Sequence, residues 1–335
     1  MPINPDRNYG QILTASVARR SRTVQDIIYN ATPLTAILKD QGRIRQRRAG
    51  GPELRIPVEF DKLQAQWFTG YDKIAITPKE LLNSAVFDWS RVVAPFSLTG
   101  TELLYNSGEE EVIDLMEFYI EAAEKSAREA WEESLVGDGT ADGGRQLIGL
   151  GAAIPIVTNT GIYGGINRGD VAEWRTTFYD ISNGDVTGYT TWDNTTARPI
   201  ISKVTLDRSR GMQRPDLWIF DSVMWGAVEA SFVAHQRLAS ERLGRLGFSG
   251  MTYITGAGPV DLVAAGGIGN VMPASTAFGI DTSSLSIWTF PGQEFVPFHP
   301  GNGIRPINQD AVAQGVVWTG QLVNENPLSM VRLRV

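Results

Sequence analysis

Residues 107–137 read SGEEEVIDLMEFYIEAAEKSAREAWEESLVG, and no other stretch restricts the fold of this chain as strongly. Ser107 followed by Glu110 fits a capping box, and Glu109, Glu110 and Glu111 put negative charge where the helix dipole favours it. Val112, Met116, Ile120, Ala123, Ala127, Ala130 and Trp131 recur at steps of three and four, which makes one apolar face. Gly137 supplies a left-handed stop. At 1.5 Å per residue such a helix is ~40 Å long, near the diameter of a small domain. It is either a long core helix or a spine on which other elements, including those of other subunits, are hung. Its many carboxylates read as a solvated face rather than a tuned acid–base pair.

The segments before the helix carry apolar residues without a core of their own. Residues 11–50 read as an extended arm with two short helices. Val24, Ile27 and Ile28 mark the first; Thr32 as N-cap, Pro33 at the first helical position and Gly42 as a stop frame the second, with Leu34, Ile37 and Leu38 on its face. These stripes are narrow, so Ile27, Ile28, Leu34, Ile37 and Leu38 are expected to bury against an adjacent subunit. A basic, Gly-flanked linker, GRIRQRRAGG, follows. At 53–60, ELRIPVEF alternates, with Leu54, Ile56, Val58 and Phe60 to one side and Pro57 marking an edge or bulge. A second extended run at 85–98, AVFDWSRVVAPFSL, exceeds the ~5–6 residues of an ordinary strand. The pair predicts a long hairpin or extended loop, with Trp67, Phe68 and Tyr71 grouped around Gly70 between its halves. An isolated hairpin is marginally stable in water, so this aromatic tip is expected to pack on a neighbour.

Charge separates the arm from the rest. Residues 1–50 hold nine Lys and Arg against three Asp and Glu, and the remainder twenty-one against thirty-four. A basic arm ahead of an acidic body predicts docking on something acidic, such as another copy of the chain. The overall pI of about 5.1 is not that of a nucleic-acid-binding domain. The absence of cysteine excludes disulfides, thiolate metal sites and thiol catalysis. No apolar run approaches the ~20 residues of a membrane span and no signal peptide opens the chain, so a soluble protein made in the cytoplasm is expected.

Motifs for chemistry are missing. The two histidines are His235, read as a core or interface residue on a helix face, and His299; no zinc-ligand spacing joins them. GAGPVD at 256–261 is neither a dinucleotide fingerprint nor a phosphate loop, and reads as a turn. DGTADGG at 138–144 lacks the third ligand and distant Glu of a calcium loop, and reads as a helix exit. No catalytic residue, metal or cofactor is expected.

Beyond residue 137 the chain turns rich in Gly, Asp and Thr, predicting loops and short strands up to 196. A helix is predicted over 198–211 with Pro199 at its start, a buried strand over 216–221, and a second helix from 222 to about 243 with Met224, Val228, Phe232 and His235 on one face. Strands follow over 253–263 and in IDTSSLSIWTF, and two more close the chain around 324–327. The class is α+β, with one dominant helix and a segregated central α/β region.

The order of these elements resembles the major capsid proteins of tailed bacteriophages, which share the Hong Kong 97 fold. The match is carried by LLYNSGEEEVIDLMEFYIEAAEKSAREAWEESLVGDGT, then RQLIGLGAAIP, TGIYGGINR and EWR, then RPDLWIFDSVMWGAVEA, and the closing DAVAQGVVWTGQLVNENPLSMVRL hairpin. It spans nearly the whole chain in order, and no single motif is diagnostic. The resemblance implies an N-terminal arm at 1–50 and an extended loop at 51–106, both reaching over neighbouring subunits. It implies a peripheral domain with the spine helix at 107–155 and 305–335, and an axial domain at 156–304 that forms the centres of pentamers and hexamers. A long scaffolding region before the arm is not expected.

The implied function is self-assembly into the icosahedral virion capsid around a double-stranded DNA genome, in the host bacterial cytoplasm. The implied partners are further copies as hexamers and pentamers and a portal protein, with DNA touched non-specifically and no membrane; separate scaffolding and decoration proteins, or none, are both open. The acidic spine helix is then expected to face the interior or underside of the wall. Some relatives weld subunits by an isopeptide bond between a loop Lys and an Asn. Here Lys62, Lys73 and Lys79, and Asn308, Asn324 and Asn326, supply the residue types. The polar or acidic flanks FDKLQ, YDKIA and TPKEL favour protonated Lys, which cannot attack an amide, so no cross-link is expected. Two other readings stand beside this one. One is an encapsulin-type nanocompartment enclosing an enzyme. The other is a carbohydrate-active enzyme, suggested by nine Trp and the aromatic tip, which needs two carboxylates at set spacing in a cleft.

Overall fold

A computed structural model describes residues 23–30, 32–47, 51–59, 65–73, 82–101, 109–232, 238–265, 272–298 and 310–335. The strands are β1 Ile44–Gln46, β2 Glu53–Glu59, β3 Leu82–Asp88, β4 Ser90–Thr99, β5 Ile162–Tyr163, β6 Ile166–Asn167, β7 Thr177–Asp180, β8 Leu217–Phe220, β9 Leu238–Ala239, β10 Gly250–Thr255, β11 Gly258–Ala264, β12 Thr276–Ile280, β13 Leu285–Thr289, β14 Val296–Pro297, β15 Ala311–Asn324 and β16 Val331–Arg334. The helices that position them are α1 Pro33–Asp40, α2 Glu109–Val136, α3 Ala197–Asp207, α4 Ser222–Ser231 and α5 Glu241–Arg245.

The spine is α2, 28 residues long. Ile120, Ala123, Ala127 and Trp131 are buried along the predicted face; the cap at Ser107 and the side chains of Val112 and Met116 lie outside the described residues. Ala123 and Ala127 meet Ala94 of β4, and such small side chains let the helix lie close on that strand. At its exit the chain doubles back so tightly that a Cβ on Gly149 would stand 2.3 Å from the carbonyl oxygen of Ser134.

Two sheets flank this helix. In the first, β15 is central: one edge pairs antiparallel with β4 and the other with β13 and β14, and β1 adds in parallel beside β13. The second has the order β7-β16-β12-β8-β11-β10-β9. One of its faces, with Trp218, Phe220, Leu262 and Leu333, is covered by Ile200, Ile201 and Val204 of α3 and Met224 and Val228 of α4. Its other face, with Ile219, Val263 and Phe278, joins the main core with Leu34, Leu135 and Leu150.

Three expectations change. The run at 85–98 is not one strand but two, β3 and β4 on either side of Trp89, serving different sheets. The closing strands β15 and β16 do not form a hairpin: β15 pairs in the first sheet and β16 with β7 and β12 in the second. The helix predicted from 222 to 243 ends at Ser231, with Phe232 as its C-cap, and α5 starts afresh after Ser240, whose hydroxyl accepts from the Leu243 amide. His235 and His299 lie outside the described residues. Pairing also crosses residue 304, since β13 belongs with β15 while β16 belongs with β12.

Tyr163 ties these parts together. Its ring meets Phe87 of β3 and Trp174, Arg168 lies over it, and its hydroxyl accepts from the Asn324 amide at 3.0 Å. Burial pushes this phenol up to about 12, against the opposing pull of the Asn324 amide and of Arg168. A group whose folded value is raised contributes stability that is complete below its unfolded value of ~10 and is lost as pH rises through the folded one. Denaturant titrations should therefore show stability falling between pH ~10 and ~12. Tyr163→Phe should make that fall shallower, with the buried Tyr29 phenol supplying the remainder, and an equally steep decline in the variant would refute the assignment.

Candidate assembly surfaces

Strands β2 and β3 pair as a two-stranded antiparallel ribbon. Leu54, Ile56 and Val58 are buried on one side as the alternation predicts, with Arg55 and Pro57 exposed and Phe60 outside the described residues. The ribbon's base rests on the β5–β6 hairpin, where Gly164 and Gly165 both have positive φ, as a tight two-residue turn demands. The Val86 amide donates to the Gly164 carbonyl at 2.8 Å, and a Cβ on Gly164 would strike the Phe87 ring at 2.7 Å.

Between β2 and β3 in sequence, the described segment 65–73 is bare. Trp67 and Tyr71 are fully exposed, at 104% and 106%, and Phe68 is 64% exposed. A small turn presents them: the Thr69 amide donates to Asp72 Oδ2 at 2.9 Å, the Asp72 amide donates to the Thr69 carbonyl, and Gly70 takes a φ of 54°. Three aromatics held this way touch nothing in their own chain that hides them, and exposed apolar groups of this kind mark contact sites.

The arm is placed differently from expectation. The helical segment at 23–29 and α1 form with the predicted cap: Thr32 is extended, its side chain accepts from the Thr35 amide, Pro33 opens the helix and Gly42 has a φ of 64°. Yet Ile28, Leu34, Ile37 and Leu38 are buried in the core of their own chain, so they are withdrawn as contacts to an adjacent subunit. Tyr29 inserts among Trp131, Phe295 and Trp318, and its hydroxyl accepts from Trp318 Nε1 at 3.1 Å. Burial and the charge of Glu294 hold this phenol far above its ordinary value. Gln25 and Gln46 donate to the backbone carbonyl and carboxylate of Glu294, and β1 completes the docking beside β13. The narrow stripes do need another surface, and their own body supplies it. Of the five residues expected as contacts, Ile27 alone, 49% exposed, keeps an outward face.

The helix exit is held by Asp138, which accepts from the amide and hydroxyl of Thr140; those bonds hold its carboxyl below the usual range. Gly256 and Gly258 turn β10 into β11. Glu121, Glu129 and Glu133 of the spine are exposed, whereas Glu132 is buried with Arg128 Nε at 3.7 Å, an exception to the solvated acidic face. Among the described residues, no group of three or more His, Cys, Asp or Glu is placed to hold a metal ion. Lys73 stands at the exposed loop tip and Asn324 is buried, while Lys62, Lys79 and Asn308 lie outside the described residues. Sequence reasoning missed one apolar patch: Leu206 lies beside the turn at Gly256, with Ile254 exposed two residues away. The legible signal was an apolar residue at the very end of α3.

No family model matches the sequence, and no curated protein does. Solved structures do. The capsid of cyanophage A-1(L) aligns with a TM-score of 0.63 over 90% of this chain and 92% of that one, at 14% identity. The chain has the Hong Kong 97-type capsid fold. The capsid of a native GTA particle aligns with a TM-score of 0.54 over 89% of each chain at 11% identity. That of Myoviridae phage XM1 aligns with 0.51 over 89% of this chain and 91% of that one, at 12% identity. So low an identity leaves the pattern of burial and turns, rather than particular side chains, as what specifies the fold.

Proposed function

We propose that this chain is the major capsid protein of a tailed bacteriophage, assembling as hexamers and pentamers into an icosahedral shell around a double-stranded DNA genome. The observation that carries the reading is the aromatic loop tip on a capsid fold: Trp67, Phe68 and Tyr71 flank a hydrogen-bonded turn and are exposed, and a neighbouring copy would bury them. The role is structural, without catalysis. Ile27 supplements the tip as a contact. The ribbon is the extended loop, the sheet around β15 with the spine helix is the peripheral domain, and the seven-stranded sheet with α3 and α4 is the axial domain. Its partners are a portal protein and separate scaffolding and decoration proteins, and assembly takes place in the host cytoplasm. The acidic face of the spine lines the interior as a like-charged wall, so contact with DNA is weak, with few phosphates neutralised.

Electron microscopy of the purified protein, expressed alone and with its scaffold, tests the reading. Closed shells, or hexameric and pentameric rings, are the expected result. A chain that stays monomeric at high concentration with those partners supplied would overturn it.

A further inference from the structure

Strands β7 and β16 carry a charged seam that the fold itself leaves incomplete. Their parallel register sets Arg332 beside Phe178 and Arg334 beside Asp180. Side chains two apart on a strand share a face, so Phe178 and Asp180 line one side of β7. Arg334 lies over the Phe178 ring at 5.6 Å, and its Nη2 donates to Asp180 Oδ2 at 2.7 Å. Arg334 is therefore paired.

Arg332 is not. It is 8% exposed, its guanidinium lies over the Phe278 ring at 5.2 Å, and its Nε is enclosed without an acceptor. No hydrogen bond or ion pair reaches it among the described residues. Burial, and then the charge of Arg334, hold Arg332 below its ordinary pKa. The Nε is shut away while the two Nη atoms are not, and a cation partly withdrawn from water without a counter-charge destabilises its own chain unless a carboxylate meets it. The ring holds the guanidinium plane in place, and a fixed planar fork suits a carboxylate.

The location says where that carboxylate comes from. β7 is the edge strand of its sheet, and Arg334 and Val335 are exposed, so the seam opens at the surface. After residue 50 the chain carries thirty-four acidic residues against twenty-one basic ones, so another copy presents mainly carboxylates. We propose that Arg332 and Arg334 together receive an Asp or Glu side chain from a second copy of the chain. The inference rests on the shell reading above and adds a charged contact to the apolar one at the loop tip.

Arg332→Met removes the charge and keeps an unbranched chain to pack on Phe278. Two measurements read it with opposite signs. Below the concentration at which the wild type assembles, the variant should melt roughly 2 °C or more above wild type, because an unpaired buried charge has gone. In light scattering checked by electron microscopy, the concentration needed for assembly should rise about tenfold or more. Arg332→Lys, which restores a charge without the fork, should recover part of that loss. Assembly of Arg332→Met at the wild-type threshold overturns the inference, as does a subunit melting well below wild type, since Arg332 would then support its own chain. Arg332→Lys assembling no better than Arg332→Met overturns it too. Normal empty shells from Arg332→Met with reduced retention of nucleic acid would assign the site to a phosphate instead. Failure of the wild type to assemble at all sinks the shell reading and this contact with it, whereas a wild type that assembles beside an unaffected Arg332→Met sinks this contact alone.

Discussion

A chain lacking residues 1–42 is expected not to fold. The deletion removes Val24, Ile28, Tyr29, Leu34, Ile37 and Leu38, all buried in the body's own core. Burying one such side chain contributes roughly 1.5–3 kcal/mol, so the six together, about 9–18 kcal/mol, match or exceed the ~5–15 kcal/mol by which a whole domain is stable. The loss is not only apolar. Trp318 Nε1 would be left in the core without the Tyr29 hydroxyl that accepts from it, and an orphaned buried donor costs about 1–3 kcal/mol more. The ion pairs Lys39–Asp26 and Arg245–Asp40 are largely exposed and add little. Circular dichroism and denaturant unfolding check the outcome. A soluble truncated chain with the wild-type unfolding midpoint would show that the arm is an appendage after all.

That prediction reverses what the sequence suggests, and the reversal shows which features are local. The Thr32 cap, Pro33 and Gly42 are short-range signals and form as read. So are the alternation of Leu54, Ile56 and Val58, and the face of Ile120, Ala123, Ala127 and Trp131. What covers the stripe of Leu34, Ile37 and Leu38 is a long-range matter, because a narrow apolar face looks the same whether its own body or a neighbour buries it. The sheet memberships of β15 and β16 failed for the same reason: their separation by residues 325–330 permits a hairpin, and only the partners β4 and β12 decide otherwise. The break after Ser231 was partly legible, since Ser240 followed by Glu241 is an N-cap signal inside the presumed helix. Arg332 was invisible, because a buried cation without a counter-ion has no sequence signature. The loop tip was legible because three large aromatics around one glycine, in a polar stretch, have no local core to join.

Replacing Trp67, Phe68 and Tyr71 together by serine should leave the subunit folded and stop it assembling. The first half follows from exposure: Trp67 and Tyr71 lose no burial when truncated, and Phe68 loses little. Surface changes of this kind usually move stability by less than ~0.5 kcal/mol, so the unfolding midpoint of the unassembled subunit should not shift. Gly70 and the Thr69–Asp72 turn are left untouched, so the turn keeps its shape. The second half follows from where interface energy resides. Trp and Tyr side chains buried at the centre of a contact contribute about 2 kcal/mol or more each when truncated, and three at one tip amount to several kcal/mol per contact. Because each ~1.4 kcal/mol is tenfold, the concentration needed for assembly should rise more than about a hundredfold. A shell repeats that contact in every copy, so the loss is not diluted by better contacts elsewhere. Light scattering and electron microscopy across a concentration series read the effect, with thermal unfolding of the same samples as the control. Shells formed by the triple variant at the wild-type threshold would mean that the tip is not what joins the copies.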